Sequence, residues 1–196
     1  MYLFFDTETT GMINRKAPSD HVSQPDMVQL GAILVDGERR VRGELNVIIK
    51  PQGWTVPDGA AQIHGMTTAI CESYGVHPSS ALEMFAMLVV RAQMVVAHNL
   101  DFDMAILETA CKRYGLDLRD VIHPGAALHC TMKAATPVIQ LPGKYGYKWP
   151  NLQEAHEHFI GRKFEGAHDA MADVRACRDV FFAMQDGRGT PAGSGA

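Results

Sequence analysis

The chain has 196 residues, 46% of them hydrophobic, and its 18 Lys and Arg against 22 Asp and Glu leave a net charge of −4. This length predicts one folded domain whose core needs no disulfide or metal for stability, and the composition excludes a disordered or collagen-like chain. No apolar run approaches the ~20 residues that cross a bilayer and no signal peptide is recognisable, so we expect a cytoplasmic protein without membrane contact.

Charge and cysteine content restrict the class of protein further. A mildly acidic protein is a poor candidate for bulk phosphate binding, which ordinarily requires an excess of Lys and Arg. The four cysteines are too widely and irregularly spaced for a CxxC metal or redox site: Cys71, Cys111, Cys130 and Cys177. We predict that they are reduced and mostly buried.

The first half of the chain predicts three sequential antiparallel strands. Residues 2–5 are a short apolar run that ends at Asp6, as in a buried strand that emerges at the edge of a sheet. A polar loop with two prolines covers residues 13–26. Two β-rich runs at 27–35 and 41–49 then flank an Asp-Gly pair, which is typical of a hairpin.

The chain after residue 49 predicts helices and one further strand. A buried strand at 94–97 leads into a helix at 102–114, and this order indicates a βα unit on a parallel part of an α/β sheet. Residues 187–196 are mainly Gly, Ala and Ser, so we predict a folded domain at 1–186 and a disordered tail. The other predicted helices lie at 60–64 and 67–72, from Ser79 or Ser80 to Arg91, from a capping box at Asn151–Glu154 onward, and at 169–185.

Asp6 and Glu8 are the first candidate site residues. Side chains two positions apart on a strand project to the same side, so these like charges repel unless a cation lies between them. Carboxylate oxygens suit Mg²⁺ or Mn²⁺, but acids at a strand end also simply face water, and the pair alone leaves both interpretations open. Gly11 favours a ligand site, because a residue without a side chain lets a ligand approach the backbone.

Two further acidic clusters follow along the chain. Asp101 and Asp103 come directly after the predicted strand at 94–97, at the strand-to-helix edge where α/β sheets bind ligands, and Asp101 is the better candidate for a helix cap. His168 and Asp173 would lie about 140° apart if both were on one helix. They converge only if His168 lies in the preceding loop and Asp173 in the helix.

The clusters form three motifs in chain order, which are Phe5-Asp6-Thr7-Glu8-Thr9-Thr10-Gly11, His98-Asn99-Leu100-Asp101-Phe102-Asp103, and His168 with Asp173 five positions later. Together they resemble the motifs of the DEDDh, or DnaQ-like, 3′-to-5′ exonucleases, and the resemblance assigns the acid of the second motif to Asp103. It implies the ribonuclease H-like fold, an α/β fold whose central mixed five-stranded sheet has three antiparallel strands, then parallel strands, and flanking helices.

The same resemblance implies roles for individual residues. Two Mg²⁺ or Mn²⁺ ions would be held by four carboxylates: Asp6, Glu8, Asp103 and Asp173. His168 would be the general base that deprotonates the attacking water, which Glu8 would help to orient. Substrate contacts would come from Thr7, Thr9, Met12, His64 and Asn99. A buried core methionine at position 12 and a purely structural histidine at position 64 are equal alternatives.

Residues 144–149 interleave basic and aromatic side chains in the order Lys-Tyr-Gly-Tyr-Lys-Trp. A surface that binds phosphates and stacks bases has this composition. An exposed turn with some buried aromatic residues is the simpler alternative. Arg162 and Lys163, just before His168, are a second basic candidate for substrate contact.

The implied activity is metal-dependent hydrolysis at the 3′ end of single-stranded or frayed DNA, with release of nucleoside 5′-monophosphates. RNA 3′ ends or short oligoribonucleotides are the alternative substrate, because the discriminating contact is to a 2′-hydroxyl that the sequence does not reveal. An inactive binding or scaffold module would ordinarily have lost a site residue, whereas all five positions are present here. A polymerase is a possible partner, but no docking segment is recognisable, so we expect a free-standing bacterial or phage enzyme.

Overall fold

A computed structural model describes residues 1–188 of the protein. Its strands are β1 (Tyr2–Thr9), β2 (Met27–Val35), β3 (Val41–Ile48), β4 (Met94–Ala97), β5 (Ala127–Cys130), β6 (Pro142–Gly143) and β7 (Gly146–Tyr147). Its helices are α1 (Asp58–His64), α2 (Thr68–Tyr74), α3 (Pro78–Val89), α4 (Leu100–Arg113), α5 (Leu118–Val121), α6 (Thr131–Ile139), α7 (Leu152–Ile160) and α8 (Ala170–Gln185).

Five of the strands form one mixed sheet in the order β3-β2-β1-β4-β5, and β6 pairs with β7 in a separate hairpin. β1, β2 and β3 are antiparallel, whereas β4 runs parallel to β1 and β5 runs parallel to β4. The predicted α/β fold class and strand directions are therefore confirmed. β5 itself was not predicted, because this short edge strand is partly exposed and lacks an apolar pattern; its Leu128 is 50% exposed.

Alternating side chains of β1 belong to two different cores. Phe5 packs on Phe85 of α3, with ring centroids 5.2 Å apart, in the larger core that α3 and α4 form against the sheet. Phe4 packs on Phe181 of α8, with ring centroids 5.3 Å apart, on the opposite face. The central strand is thus buried on both faces, as expected where helices cover both sides of a sheet. The same alternation decides which helix each polar residue at the end of β1 meets.

The structure corrects two predicted helix starts. α3 begins at Pro78, and its cap is the ring of His77, which accepts from the backbone N–H of Ser79 at 3.3 Å; the predicted Ser79 or Ser80 cap is therefore wrong. Proline at the first helical position already has the required φ angle. Asp101 lies inside α4 and pairs with Lys133, so its predicted role as helix cap is also wrong. The Asn151–Glu154 capping box of α7 is confirmed.

The polar loop 13–26 is irregular, as predicted, but it packs tightly against the domain. The Gln24 side chain is buried and donates to the carbonyls of Asn14, Ala17 and Pro18 at 2.9–3.0 Å. From α4, Arg113 pairs with Asp26 and donates to carbonyls of the same loop. Because its polar backbone groups are satisfied internally, the loop holds a defined shape beside the end of β1.

The remaining expectations concern the termini, the cysteines and the membrane. Residues 187–188 continue the turn after α8, and 189–196, the rest of the predicted tail, lie outside the described residues. All four cysteines are free, three are buried and Cys130 is partly buried, as predicted. Among the helices within residues 1–188, none is both long and apolar enough to cross a membrane.

Candidate active site

The three acidic clusters meet at one end of the sheet. Asp6 and Glu8 lie at the end of β1, while Asp103 and Asp173 lie in the first turns of α4 and α8. The elements enclose a cleft of about 490 Å³. Ten of the predicted site residues line this cleft: Asp6, Thr7, Glu8, Thr9, Met12, His64, Asn99, Asp103, His168 and Asp173. The basic candidates Arg162 and Lys163 and the segment 144–149 do not line it.

Asp103 is fixed by the strand next to it. The Thr7 hydroxyl donates to Asp103 Oδ1 at 2.8 Å, and the backbone N–H of Thr7 donates to the same oxygen at 3.1 Å. Thr7 shares the face of Phe5, towards α4, whereas Asp6 and Glu8 share the face of Phe4, towards α8. Asp6 and Glu8 therefore face the helix that carries Asp173, while Thr7 between them holds Asp103 of α4.

Asp173 has one oxygen with a partner and one without. Its Oδ2 accepts from the backbone N–H of His168 at 3.2 Å. Its Oδ1 is buried and has no hydrogen-bond partner within residues 1–188. A buried carboxylate oxygen without a donor is costly unless a ligand satisfies it, so this atom marks a place for a cation or a water.

Residues of β2 set the position of α8, and sequence reasoning did not identify them. The buried side chain of Gln29 accepts from the backbone N–H of Ala170 and donates to Asp169, both at 3.2 Å. Gly31 touches the same turn, since a Cβ there would lie 2.9 Å from the backbone carbon of Ala170. The only sequence signals were a polar residue and a glycine within an otherwise apolar strand.

His168 lies outside α8, in the loop before it, as its convergence with Asp173 requires. Its backbone has a left-handed φ of 70°, and Asp169 is the cap of the helix. The His168 side chain is exposed, and its ring reaches Glu8 and Asp173, so that one potential ligand atom from each of the three lies within 4.8 Å of the others. This cluster brings an imidazole to the carboxylates while leaving it accessible to water.

Burial and mutual repulsion raise the pKa of all four carboxyl groups. The pKa of Asp6 lies well above its usual range, because the group is buried and close to Asp103 and Asp173. Burial, followed by the charge of Asp173, raises the pKa of Glu8 to about 8. Burial also raises the pKa of Asp103 to about 7 and that of Asp173 to about 6. A divalent cation would relieve this repulsion, and the oxygen donor set suits Mg²⁺ or Mn²⁺.

The residues predicted to contact substrate surround the carboxylates. Met12 is 80% exposed at the cleft, so the alternative of a buried core methionine is wrong. His64 is buried; its Nδ1 accepts from the backbone N–H of Met66, and its Nε2 has no partner within the described part of the chain. Burial lowers the pKa of His64, which favours the neutral ring. Asn99 precedes α4 with a left-handed φ of 70°, and the Thr9 hydroxyl donates to the Gly11 carbonyl at 2.7 Å.

Sequence comparison relates this arrangement to known exonucleases. The profile of the RNase_T family, described as exonuclease, matches residues 3–181. A Mycobacterium tuberculosis protein described as a bifunctional exonuclease/endonuclease is 29% identical over 189 residues, which are 93% of this chain and 26% of the relative. A DNA polymerase III subunit epsilon-like protein of Rhodobacter capsulatus is 29% identical over 111 residues, which are 54% of this chain and 14% of the relative.

Solved structures share the fold. Escherichia coli exonuclease I in complex with a dT13 oligonucleotide has a TM-score of 0.76 at 20% identity, over 95% of this chain and 41% of that chain. A zinc-bound complex of the same enzyme with single-stranded DNA has a TM-score of 0.75 at 21% identity, over 94% and 40%. The chain thus spans about a quarter of the mycobacterial relative and two fifths of exonuclease I. The profile match nevertheless covers most of the domain, and the chain belongs to the RNase_T exonuclease family, which confirms the predicted DnaQ-like resemblance.

Proposed function

We propose that this domain is a metal-dependent 3′-to-5′ exonuclease that hydrolyses the terminal phosphodiester bond of DNA at a single-stranded or frayed 3′ end. The products are nucleoside 5′-monophosphates. The observation that carries the proposal is the convergence of four carboxylates and one accessible histidine in a single cleft. Membership of an exonuclease family supports the reaction class.

The donor set fits two divalent cations, Mg²⁺ or Mn²⁺. Asp6, Glu8, Asp103 and Asp173 supply hard oxygen ligands, and the unpartnered Oδ1 of Asp173 supports this assignment. When bound, such ions activate water and stabilise negative charge on the phosphate and on the leaving oxygen. The protein's own contribution is to hold four mutually repelling carboxylates together before the cations arrive, and the Thr7 and His168 N–H groups do this for two of them.

His168 is the general base of the proposed reaction, because its exposed ring nitrogen accepts the proton of the attacking water. Its loop position lets the ring reach Glu8 and Asp173, and the side chain of Glu8 orients the same water. Met12 contacts the terminal base with its exposed side chain. His64 and Asn99 contact the last nucleotide, and Thr9 offers backbone groups to it. Thr7, which was predicted to contact substrate, is buried, and its hydroxyl and backbone N–H both donate to Asp103, so we assign it to holding that carboxylate instead.

Single-stranded DNA is the proposed polymer. Exonuclease I, which shares the fold, was solved with DNA oligonucleotides, and the cleft here is open enough to admit a chain end. RNA 3′ ends are the alternative substrate. A polymerase that the domain would proofread for is the alternative partner, and the partial similarity to an epsilon-like polymerase subunit supports it. Neither alternative changes the assigned site residues.

The test is a degradation assay on matched DNA and RNA oligonucleotides. Each is labelled at either the 5′ or the 3′ end and is incubated with Mg²⁺, Mn²⁺ or EDTA. We expect a ladder that shortens from the 3′ end, faster on single-stranded DNA than on duplex DNA or RNA, and absent in EDTA. Internal cleavage or metal-independent cleavage would contradict the proposal. Faster degradation of RNA than of DNA would show that RNA, rather than DNA, is the substrate.

The matched control separates the site from a contaminating nuclease. Asp103→Asn keeps the size of the side chain and removes a ligand charge, and it should lose at least about 100-fold in rate. Asp101→Asn changes the same residue type two positions away, where the side chain is exposed and paired with Lys133, and its rate should match that of the unmodified protein.

A further inference from the structure

Residues 142–149 form an exposed aromatic hairpin that the proposed chemistry does not use. Gly143 pairs with Gly146, so Lys144 and Tyr145 occupy the turn between β6 and β7. Tyr145 is 91% exposed, Tyr147 55% and Trp149 60%. The predicted alternative, an exposed turn with some buried aromatic residues, is correct about the exposed turn and wrong about the aromatic residues.

Exposure of this kind is concentrated in the hairpin. Among the large aromatic side chains of residues 1–188, Tyr74 is the only other one that is strongly exposed. Each exposed ring leaves an apolar surface in water that a flat ligand would cover. Three such rings lie within five residues, and none of them belongs to the buried part of the four hydrophobic clusters that the described residues form.

The hairpin also carries one uncompensated positive charge. The Lys144 Nζ lies 5.1 Å from the centre of the Tyr145 ring and has no acidic partner within the described part of the chain. Lys148 is different, because it pairs with Glu154 in the first turn of α7. A ligand of this surface should therefore combine flat apolar groups with negative charge.

The base of the hairpin is attached to the wall of the cleft. Trp149 precedes Pro150, whose carbonyl accepts from Nε2 of His98 at 3.0 Å. His98 lines the cleft, and so does Leu152, two residues after Pro150. Burial lowers the pKa of His98 to about 4, so the ring is neutral and holds this contact across the physiological range. The C-terminal end of the hairpin is therefore next to the wall of the cleft.

We propose that the hairpin binds the single-stranded segment that leads to the 3′ terminus, with bases stacked on Tyr145, Tyr147 and Trp149 and a phosphate beside Lys144. Nucleic acid fits this surface better than a protein segment does, because three exposed rings within five residues match a row of flat bases, and the unpaired Lys144 matches a phosphate between them. The proposal rests on the proposed exonuclease function and adds to it a second contact, outside the cleft, that longer substrates reach and the shortest do not.

The test compares substrate length in steady-state kinetics. The double variant Tyr145→Ala/Tyr147→Ala should raise KM for a 12-nucleotide DNA about 10-fold or more, because each stacked base contributes ~1–3 kcal/mol. Its kcat, and both constants for a dinucleotide, should stay unchanged. Lys144→Glu should raise KM for the long substrate as well and flatten its dependence on salt.

The controls change an exposed tyrosine and an exposed basic residue elsewhere in the protein. Tyr74→Ala removes an exposed tyrosine that does not line the cleft, and Arg91→Glu reverses a charge before β4, at the end of the sheet opposite to the cleft. Both should leave KM unchanged for either substrate. Tryptophan fluorescence offers an independent readout, because DNA binding should quench the emission of Trp149. In Trp149→Phe this quenching should disappear, while the second tryptophan, Trp54, still emits.

The outcomes separate this inference from the proposed function. If the unmodified protein degrades DNA but the hairpin variants keep the KM of the long substrate, the inference is wrong and the hairpin serves another partner, such as a protein. If the variants lose the same factor on the dinucleotide, the hairpin acts through the cleft wall and the inference is again wrong. If the unmodified protein degrades no nucleic acid, it is the proposed function that fails.

Discussion

The Thr7 hydroxyl donates to Asp103 Oδ1 at 2.8 Å and so ties the end of β1 to the first turn of α4, 96 residues later in the chain. Thr7→Val keeps the shape of the side chain and the backbone N–H bond but removes this donor. We expect the free energy of unfolding at pH 8 to fall by ~1–3 kcal/mol, because the buried carboxylate loses a hydrogen bond. Urea denaturation measures the change, and Thr7→Ser, which retains the hydroxyl, should recover most of it.

The variant His168→Ala tests whether His168 is the general base or a metal ligand. Loss of the general base should lower kcat by about 10²- to 10⁴-fold. Because the four carboxylates remain, Mg²⁺ should still raise the melting temperature of the variant. If that stabilisation disappears together with activity, His168 is a ligand of the Glu8 and Asp173 cluster rather than the base.

The stability of the metal-free protein should fall as pH rises. The folded-state pKa values of Glu8, Asp103 and Asp173 are raised to about 8, 7 and 6, whereas an unfolded chain titrates near 4. The folded state therefore binds more protons between pH 4 and 8, and its stability is greatest at the lower end and is lost as pH passes through the raised values. Urea denaturation in EDTA at pH 5, 6.5 and 8 measures the slope.

A cation should cancel most of this pH dependence by replacing the bound protons. Asp6→Asn removes one of the repelling charges, and in EDTA at pH 8 it should be more stable than the unmodified protein although it is inactive. Burial lowers the pKa of His64, His98 and His129, which opposes the slope, so the decisive comparison is between the two proteins. The fall in stability from pH 5 to pH 8 should be smaller in Asp6→Asn, and equal slopes would show that the carboxylates do not repel one another as the structure indicates.

Gly31→Ala tests the contact between β2 and the start of α8. The added methyl group would lie 2.9 Å from the backbone of Ala170, so the helix must move. We expect a loss of ~1–3 kcal/mol in stability from overpacking and about a 100-fold loss in kcat from displacement of Asp173. Gly37→Ala is the matched control on the next turn, where nothing lies within 4 Å, and its stability and activity should be unchanged within error.

The net charge of −4 indicates that divalent ions should strengthen the binding of DNA. Of the 22 acidic residues, four are the clustered carboxylates, and the 18 that remain balance the 18 Lys and Arg. Two divalent ions would therefore neutralise the protein and remove the repulsion at the cleft. DNA should bind at least about tenfold more tightly in Ca²⁺ than in EDTA, as measured by fluorescence anisotropy. Equal affinity in the two conditions would contradict this account.

Local patterns in the sequence were sufficient for much of the fold. β1, β2 and β4 follow apolar runs, β3 follows a β-rich run after an Asp-Gly turn, and the α7 capping box satisfies its own backbone groups within four residues. The failures have local causes as well. β5 is an exposed edge strand with no period, and the start of α3 was misplaced because a histidine ring, rather than a serine, caps it.

The candidate site also has features that local sequence patterns predicted and features that they did not. The candidate site residues could be proposed from the sequence, because the acids and the histidine occupy three motifs whose order and spacing are visible without coordinates. The contacts that hold these side chains in place could not be predicted from the sequence. Three hydrogen bonds join residues that are distant in the chain: Thr7 to Asp103, Ala170 to Gln29, and His98 to Pro150 at the base of the aromatic hairpin. Such contacts depend on packing, and no local pattern encodes them.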